Sequence, residues 1–296
     1  MRRSVAYVGI AIALLAAAAV VAYSMRPTNN LAPQPTSLKN EELEHSSVSP
    51  VREDLSHLVS RAKIDPKVVI QNRGHAYSIS RTQSPPQGDA LKYVQSLLQR
   101  SRTGDATATY DIYLAVNQCK SALDTPSLSL LQIYRSQGIE EQYKNSLEKN
   151  LVNCEALLSD PELSYEPWLK RAADQGSIEA KIMFAMDSKS ILGNRSDYLS
   201  HPERLANYRI EAMQNLQYAA STGSVDALMA LGNAFDNGIL TEKSPSQSLA
   251  YFKSAYSLAP NPSLQELISR ESKSLSSREV EIANRLSIQI TQNCCL

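Results

Sequence analysis

The chain has 296 residues, 43% of them hydrophobic, and its 30 lysine and arginine residues balance 30 aspartate and glutamate residues. This length and hydrophobic content are sufficient for one or two domains with a sizeable core. A net charge of zero provides no overall positive field and no local basic patch stands out, so we expect no nucleic-acid partner.

The N-terminal segment is basic and then apolar. Two arginines precede an almost uninterrupted apolar run, Val5 to Met25. A helix of about 20 apolar residues crosses a bilayer, and basic residues before it favour a cytoplasmic N-terminus. Residues 1–26 are therefore predicted to be a single-pass signal anchor in a bacterial inner membrane, with the remainder in the periplasm. The small residues up to Ala22 leave open a cleaved signal peptide and a secreted periplasmic product.

Residues 27–88 are predicted to form a disordered or weakly structured linker. Several prolines lie among polar residues in its first half, and the stretch RTQSPPQG, Arg81 to Gly88, forms a second break before regular structure begins. Such a composition cannot bury a core. The spacing allows one short helix around Asp54–Ala62 and an extended piece at Lys67–Ile70.

Residues 89–292 are predicted to be helical almost throughout. Apolar residues such as Val94, Leu97 and Leu98 recur at helical spacing, and no convincing strand alternation appears. Glycines and cap residues divide the segment into short helices. The expected fold class is therefore all-α, with antiparallel helix hairpins stacked as a solenoid behind the membrane helix and the flexible linker.

Two stretches of this region repeat one pattern of small residues. LKRAADQGSIEAKIMFA begins at Leu169, and LQYAASTGSVDALMALG, which begins at Leu216, superimposes on it. The candidate packing residues shared by these and the following stretch are Ala172, Ala173, Gly176, Ala180, Ala219, Ala220, Gly223, Ala227, Gly238, Ala250 and Ala255. Two antiparallel helices joined by a tight turn approach closely beside that turn, so small side chains give clearance and glycine reverses the chain. Each hairpin alone exposes an apolar face, which stacking buries.

The four cysteines fit an oxidising compartment. Cys119 and Cys154 follow helical patterns about one hairpin apart, so a disulfide between them is predicted, with two buried free thiols as the alternative. Cys294 and Cys295 lie at the C-terminus. Adjacent cysteines rarely pair, and we expect a disordered tail there, with a bridge to a partner or a second copy as the alternative.

The repeated alanine and glycine stretches resemble the Sel-like repeats (SLR), relatives of the tetratricopeptide solenoids. The segment LGNAFDNGILTEKSPSQSLAYFKSA, Leu231 to Ala255, follows the family order, with Phe235 in the aromatic slot and Gly238 in the turn between repeats. The resemblance is good over Trp168 to Tyr256 and weak over Asp89 to Asn153. An insert, ILGNRSDYLSHPERLANYRI, makes the stack irregular.

The resemblance implies a non-enzymatic envelope adaptor that binds a protein or peptide partner in a groove of the solenoid. The alternative is an enzyme, because cysteine-rich members of the family are linked to β-lactam binding and hydrolysis. Those members carry a bridge in each repeat, whereas Trp168 to Tyr256 contains no cysteine. A scaffold acting with peptidoglycan machinery is a third reading.

No residue pattern predicts catalysis, a cofactor or a metal. The histidines, none in a metal-ligand spacing, are His45, His57, His75 and His201. The chain has 14 tyrosines against three phenylalanines and one tryptophan, which suits a groove lining or tyrosines half-buried at the helix–solvent boundary. The tyrosines considered are Tyr110, Tyr113, Tyr134, Tyr143, Tyr208, Tyr218 and Tyr251.

Overall fold

The computed structural model describes residues 63–81, 88–123 and 128–296, apart from the side chains at positions 128, 129 and 195. The predicted anchor, residues 1–26, and residues 27–62 of the predicted linker lie outside the described residues. Within the described part of the chain, no helix combines the length and the apolar character that a membrane span requires.

The described residues are mostly helical, which confirms the helical prediction. A 3₁₀ helix (Pro66–Val68) and two strands, β1 (Val69–Gln71) and β2 (Tyr77–Ile79), come first. The helices are α1 (Ala90–Arg102), α2 (Ala106–Ala122), α3 (Leu128–Ser136), α4 (Glu140–Leu158), α5 (Pro161–Ser164), α6 (Trp168–Asp174), α7 (Ile178–Met186), α8 (Ser188–Leu192), α9 (Arg195–Leu199), α10 (Pro202–Ser221), α11 (Val225–Asn237), α12 (Pro245–Leu258), α13 (Pro262–Ser274) and α14 (Ser277–Cys295).

Three helix pairs, α1–α2, α6–α7 and α10–α11, share one kind of turn. Its glycines, all with φ between 93° and 100°, are Gly104, Gly176 and Gly223. The residues that follow them are Asp105, Ser177 and Ser224. Each of these side chains accepts a hydrogen bond from the backbone N–H three residues later and so caps the second helix. A cap of this kind stabilises a helix by about 1 kcal/mol, and the left-handed glycine lets the chain reverse without Cβ strain.

Small side chains flank the second and third of these turns. Ala172, Ala180, Ala219 and Ala227 are all completely buried. Of the remaining predicted packing alanines, Ala173, Ala220, Ala250 and Ala255 are buried as well. Gly238 ends α11 in the left-handed conformation. Helix axes can therefore approach closely at these positions.

Successive hairpins stack on one another. Helix α2 packs on α6, α7 packs on α10, and α11 packs on α12, which in turn packs on α14. Helix α4 covers α1 and α2, and a disulfide joins Cys119 of α2 to Cys154 of α4. The apolar core therefore runs through the stack as connected layers.

The segment of residues 63–81, called the strap below, corrects two expectations. The sequence predicts a weakly structured linker here, with an extended piece at Lys67–Ile70, in an all-α chain. Strand β1 overlaps that piece, but β1 and β2 pair antiparallel as a hairpin, with Val69 opposite Ile79. Tyr77 is completely buried, and its backbone N–H donates to the Gly223 carbonyl at 2.9 Å. The strap is thus ordered by hydrogen bonds to the glycine turns of the repeats. These distant partners cannot be recognised from the sequence of the strap alone.

Further contacts hold the strap along the same edge. The Tyr77 hydroxyl lies 2.8 Å from the Thr222 hydroxyl, and Ile79 N–H donates to Asp226 at 2.7 Å. At the other end, Lys63 Nζ donates to the Gln175 carbonyl at 2.8 Å, beside the preceding turn. The strap therefore bridges two neighbouring repeats.

The strap ends at a partly buried ion pair. Arg81 donates to both carboxylate oxygens of Glu179, at 2.8 and 2.9 Å, and to Asp111 at 3.1 Å. Its guanidinium group also lies 5.5 Å from the ring centroid of Tyr110. Burial raises the pKa of Glu179 despite the attraction of Arg81, so the carboxylate depends on this partner for its charge.

The C-terminus also differs from the expected disordered tail. Helix α14 continues to Cys295, whose side chain is buried, and a disulfide joins Cys294 to Cys295. The Cys295 carbonyl accepts a hydrogen bond from His75 N–H of the strap at 2.8 Å. The end of the chain is therefore held both by the packing of α14 on α12 and by this hydrogen bond to the strap.

Enlarging a packing alanine is expected to destabilise the fold. Ala227→Leu places three extra carbons where α10 and α11 meet and should cost about 1 to 3 kcal/mol of unfolding free energy. Ala206→Leu, at an exposed position of α10, should change it by less than about 0.5 kcal/mol. Urea unfolding measures both, and equal effects would contradict the packing role.

Removal of the Arg81 charge is expected to make stability pH-dependent. In Arg81→Met the buried Glu179 loses its counter-ion, so its folded-state pKa, already raised, rises further. The loss relative to the native chain should be small below the ordinary glutamate pKa. It should grow to roughly 3 kcal/mol as the pH rises toward neutrality, because only the unfolded chain then releases the proton easily.

The control for this prediction is the double variant Arg81→Met with Glu179→Gln, which should recover most of the loss at neutral pH. Urea unfolding of the three chains at acidic and neutral pH provides the comparison. A loss independent of pH would show that Arg81 acts through packing alone.

Candidate functional site

Two short helices, α8 and α9, separate the second repeat from the third; they contain the first part of the inserted sequence and are called the insert from here on. Asp187 caps α8 by accepting from Ser190 N–H at 3.0 Å, and it also accepts from the Tyr113 hydroxyl of α2 at 2.7 Å. Gly193 then turns the chain with a φ of 80°. The insert lies at the ends of α7 and α11 remote from the glycine turns, so it occupies the edge opposite the strap.

A first cleft lies between α2, α6 and the insert, with a volume of about 660 Å³. The residues of its wall that matter below are Tyr113, Lys120, Tyr165, Pro167, Ile191 and Arg204. Tyr165 is 81% exposed, and its ring centroid lies 5.7 Å from Lys120 Nζ. Trp168 lies in the floor, where its indole N–H donates to the Leu163 carbonyl at 2.7 Å. The Trp168 indole is thus held in place at the floor of the cleft, whereas Tyr165 at the rim is exposed to solvent.

A second cleft, of about 640 Å³, lies on the other side of the insert between α9, α10 and α11. Its apolar lining includes Met186, Tyr198, Leu205, Ile239 and Leu240. Met186 is 68% exposed and Ile239 is 62% exposed. Leu192 of α8 lines both clefts, so the insert is their common wall.

The hydroxyl groups of Tyr113 and Tyr208, which line the clefts, hold helix ends in place. Burial and the hydrogen bond to Asp187 raise the pKa of Tyr113, and burial raises that of Tyr208 to about 12. Tyr208 donates to the Ala185 carbonyl at 3.1 Å, at the end of α7. Both hydroxyls therefore stay protonated near neutral pH and act as donors that fix helix ends.

The tyrosines considered in the sequence analysis divide between core and surface. Tyr113 and Tyr208 line the clefts, whereas Tyr110 is core and Tyr218 is 49% exposed elsewhere. The remaining three are in ring pairs: Tyr134 with Tyr143, and Tyr251 with Phe235. Two cleft tyrosines, Tyr165 and Tyr198, were missed, although Pro167 and Gly193 mark the loops beside them.

The described residues contain no group of three or more histidine, cysteine, aspartate or glutamate side chains placed to hold a metal ion. His75 lies in the strap turn, and His201 Nδ1 is 3.3 Å from Glu203 at the start of α10. Neither histidine lines a cleft. His45 and His57 lie outside the described residues.

No protein-family model matches the chain, and no curated protein sequence matches it. Among solved structures, the chain is similar to a protective antigen of uropathogenic Escherichia coli that displays an SLR fold, with 17% identity and a TM-score of 0.18. The match covers 70% of this chain and spans 57% of the length of that protein. With so low a TM-score, the helical-repeat description depends on the packing of the chain's own helices.

Proposed function

We propose that the chain is a non-enzymatic adaptor that binds a protein or peptide partner at the two clefts beside the insert. The observation that carries this proposal is the exposure of large apolar side chains around a concave surface. Met186 and Ile239 face water over most of their surface, at the rim of the second cleft. A patch of this kind is typical of an interaction site.

The fold supports this role. Stacked hairpins present an extended surface on which side chains can vary without disturbing the alanine contacts inside. The methionine at the rim is unbranched and flexible, so it can adapt to different side chains of a partner. The arrangement accords with the Sel-like repeat resemblance, which we propose as the family relationship of the chain.

We also propose that the adaptor acts in the bacterial envelope, with the repeats in the periplasm. The apolar run Val5 to Met25 supports an inner-membrane anchor, or a signal peptide if it is cleaved. The Cys119–Cys154 disulfide supports an oxidising compartment, since cytosolic thiols are usually kept reduced.

The chemistry of the clefts supports a non-enzymatic role. The Ser190 hydroxyl donates to Asp187, but Asp187 already caps α8 and accepts from Tyr113. Among the described residues no histidine lines either cleft to act as the base of a hydrolytic serine. The serine and the carboxylate are therefore explained as parts of a helix cap.

Photocrosslinking on the full chain in its native membrane tests the binding site. A photoreactive residue at Ile239 should give a discrete adduct, whereas one at Ile288, 58% exposed on α14, should not. Met186→Glu should weaken formation of the Ile239 adduct roughly tenfold or more. A methionine side chain that becomes buried when the partner binds contributes about 1.5 to 3 kcal/mol to the binding free energy. Equal adducts at the two positions, or adducts insensitive to Met186→Glu, would contradict the proposal.

A fluorescent β-lactam tests the enzymatic alternative. The full chain should show neither covalent labelling nor turnover, because no nucleophile in the clefts has a suitable base. Heat-unfolded chain is the control for non-specific labelling. Labelling that requires the folded chain and is lost in Ser190→Ala would replace the adaptor proposal by an enzymatic one.

A further inference from the structure

The carboxylates that line the clefts are already engaged within the protein. In the first cleft, Asp187 caps α8, and Asp197 accepts from Asn194 N–H at 2.9 Å. Glu166 forms an ion pair with Arg171. In the second cleft, Asp236 lies 3.7 Å from Lys243. Glu166 and Asp236 therefore each lie beside a cation, whereas Asp187 and Asp197 are held by hydrogen bonds from neutral groups.

Three cations that line the clefts differ from these carboxylates. Within the described residues, Lys120, Arg204 and Arg209 form no ion pair with a carboxylate. Lys120 lies above the ring of Tyr165, and Arg204 Nη2 donates to the Leu192 carbonyl at a long 3.4 Å. Each cleft thus presents at least one cation that forms no ion pair with a carboxylate of the described residues.

The surroundings of Lys120 make its charged form less favourable than that of a lysine in water. Burial lowers the pKa of Lys120, and the positive charge of Lys189, which also lines the first cleft, lowers it further. The nearby Asp187 acts in the opposite direction but does not cancel these effects. An incoming anion would add to the attraction of Asp187 and stabilise the charged form of Lys120 against the effect of burial.

We infer that the first cleft binds an acidic peptide segment, with carboxylate side chains between Lys120 and Arg204 and an apolar side chain against Tyr165, Pro167 and Ile191. This inference rests on the proposed function and specifies the chemistry of its partner. The apolar wall favours a peptide over an inorganic anion, which would leave Tyr165 and Ile191 uncovered. The concave shape favours a peptide over a flat anionic membrane.

The volume of the first cleft and its combination of charged and apolar walls agree with a peptide segment as the ligand. A cleft of about 660 Å³ accommodates a few side chains, and small-ligand sites have volumes of a few hundred Å³ or more. Arg209 of the second cleft extends the positive charge past the insert. A segment with acidic residues next to aliphatic or aromatic ones would complement both clefts.

Fluorescence anisotropy with three matched peptide pools tests the inference on the full chain in detergent. Each pool carries the same aliphatic and aromatic residues, flanked by Asp and Glu, by Ser and Asn, or by Lys and Arg. The acidic pool should bind about tenfold more tightly than the neutral pool at low salt, since two partly exposed ion pairs together contribute this much. The preference should shrink at high salt.

Charge-reversal variants locate the effect. Lys120→Glu with Arg204→Glu should abolish the preference for the acidic pool and leave neutral-pool binding within about twofold. Lys149→Glu with Arg285→Glu is the matched control, because both residues are exposed, form no ion pair in the described part of the chain and lie outside the clefts. Thermal unfolding checks that each variant is folded.

Four outcomes would overturn the inference. Equal binding of acidic and neutral pools that is lost in Ile239→Glu would end it while leaving the proposed function intact. Absence of binding by every pool would contradict both. A control variant as defective as the cleft variant would assign the effect to overall charge. Binding of phosphatidylglycerol vesicles that depends on Lys120 and Arg204, with no peptide preference, would assign the cleft to a lipid surface.

Discussion

The close approach of paired helices beside a glycine turn is the constraint on which the structure depends. Ala172 and Ala180 lie on either side of one such turn, and Ala219 and Ala227 lie on either side of the next, all without exposed surface. A larger side chain would separate the axes, and the apolar faces on either side would no longer meet their neighbours. The stacking of the helices from α2 to α12 depends on the short distance between the axes of these helix pairs.

The same turns determine what the two edges of the stack can do. At one edge, the carbonyl groups of Gly223 and of Gln175, which precedes Gly176, accept hydrogen bonds from the strap. A Cβ added to Gly223 would meet the His75 carbonyl at 2.6 Å, so the strap and the turn fit only while that residue is glycine. At the opposite edge the insert interrupts the regular stack and creates two clefts. Irregularity in the repeat is therefore what creates the two clefts.

The sequence allowed prediction of the features that are local or repeated. Alanine and glycine at fixed spacing identified the turns, and the separation of Cys119 from Cys154 suggested their disulfide. The strap could not be predicted, because Tyr77 and its neighbours obtain their hydrogen bonds from residues about 150 positions further on. The order of the C-terminus was missed for the same reason, since the strap covers Cys295.

The candidate site shows a similar division. Tyr113 and Tyr208 were among the tyrosines considered for a groove, and both line clefts. The acid that fixes the insert, Asp187, and the cations Lys120 and Arg204 were not singled out. Their significance depends on which charges are compensated, and that depends on contacts between distant helices rather than on spacing along the chain.

The most direct test of the account is the reactivity of single thiols placed at Ala172, Ala180, Ala219 and Ala227, one at a time. Cysteine is small enough to be tolerated there, and Ala206→Cys on the exposed face of α10 is the reference. The account predicts that a maleimide labels the reference at once and labels the four buried positions only as the chain unfolds. Labelling of those four in the folded protein at the rate of the reference would contradict the nesting of the helix pairs.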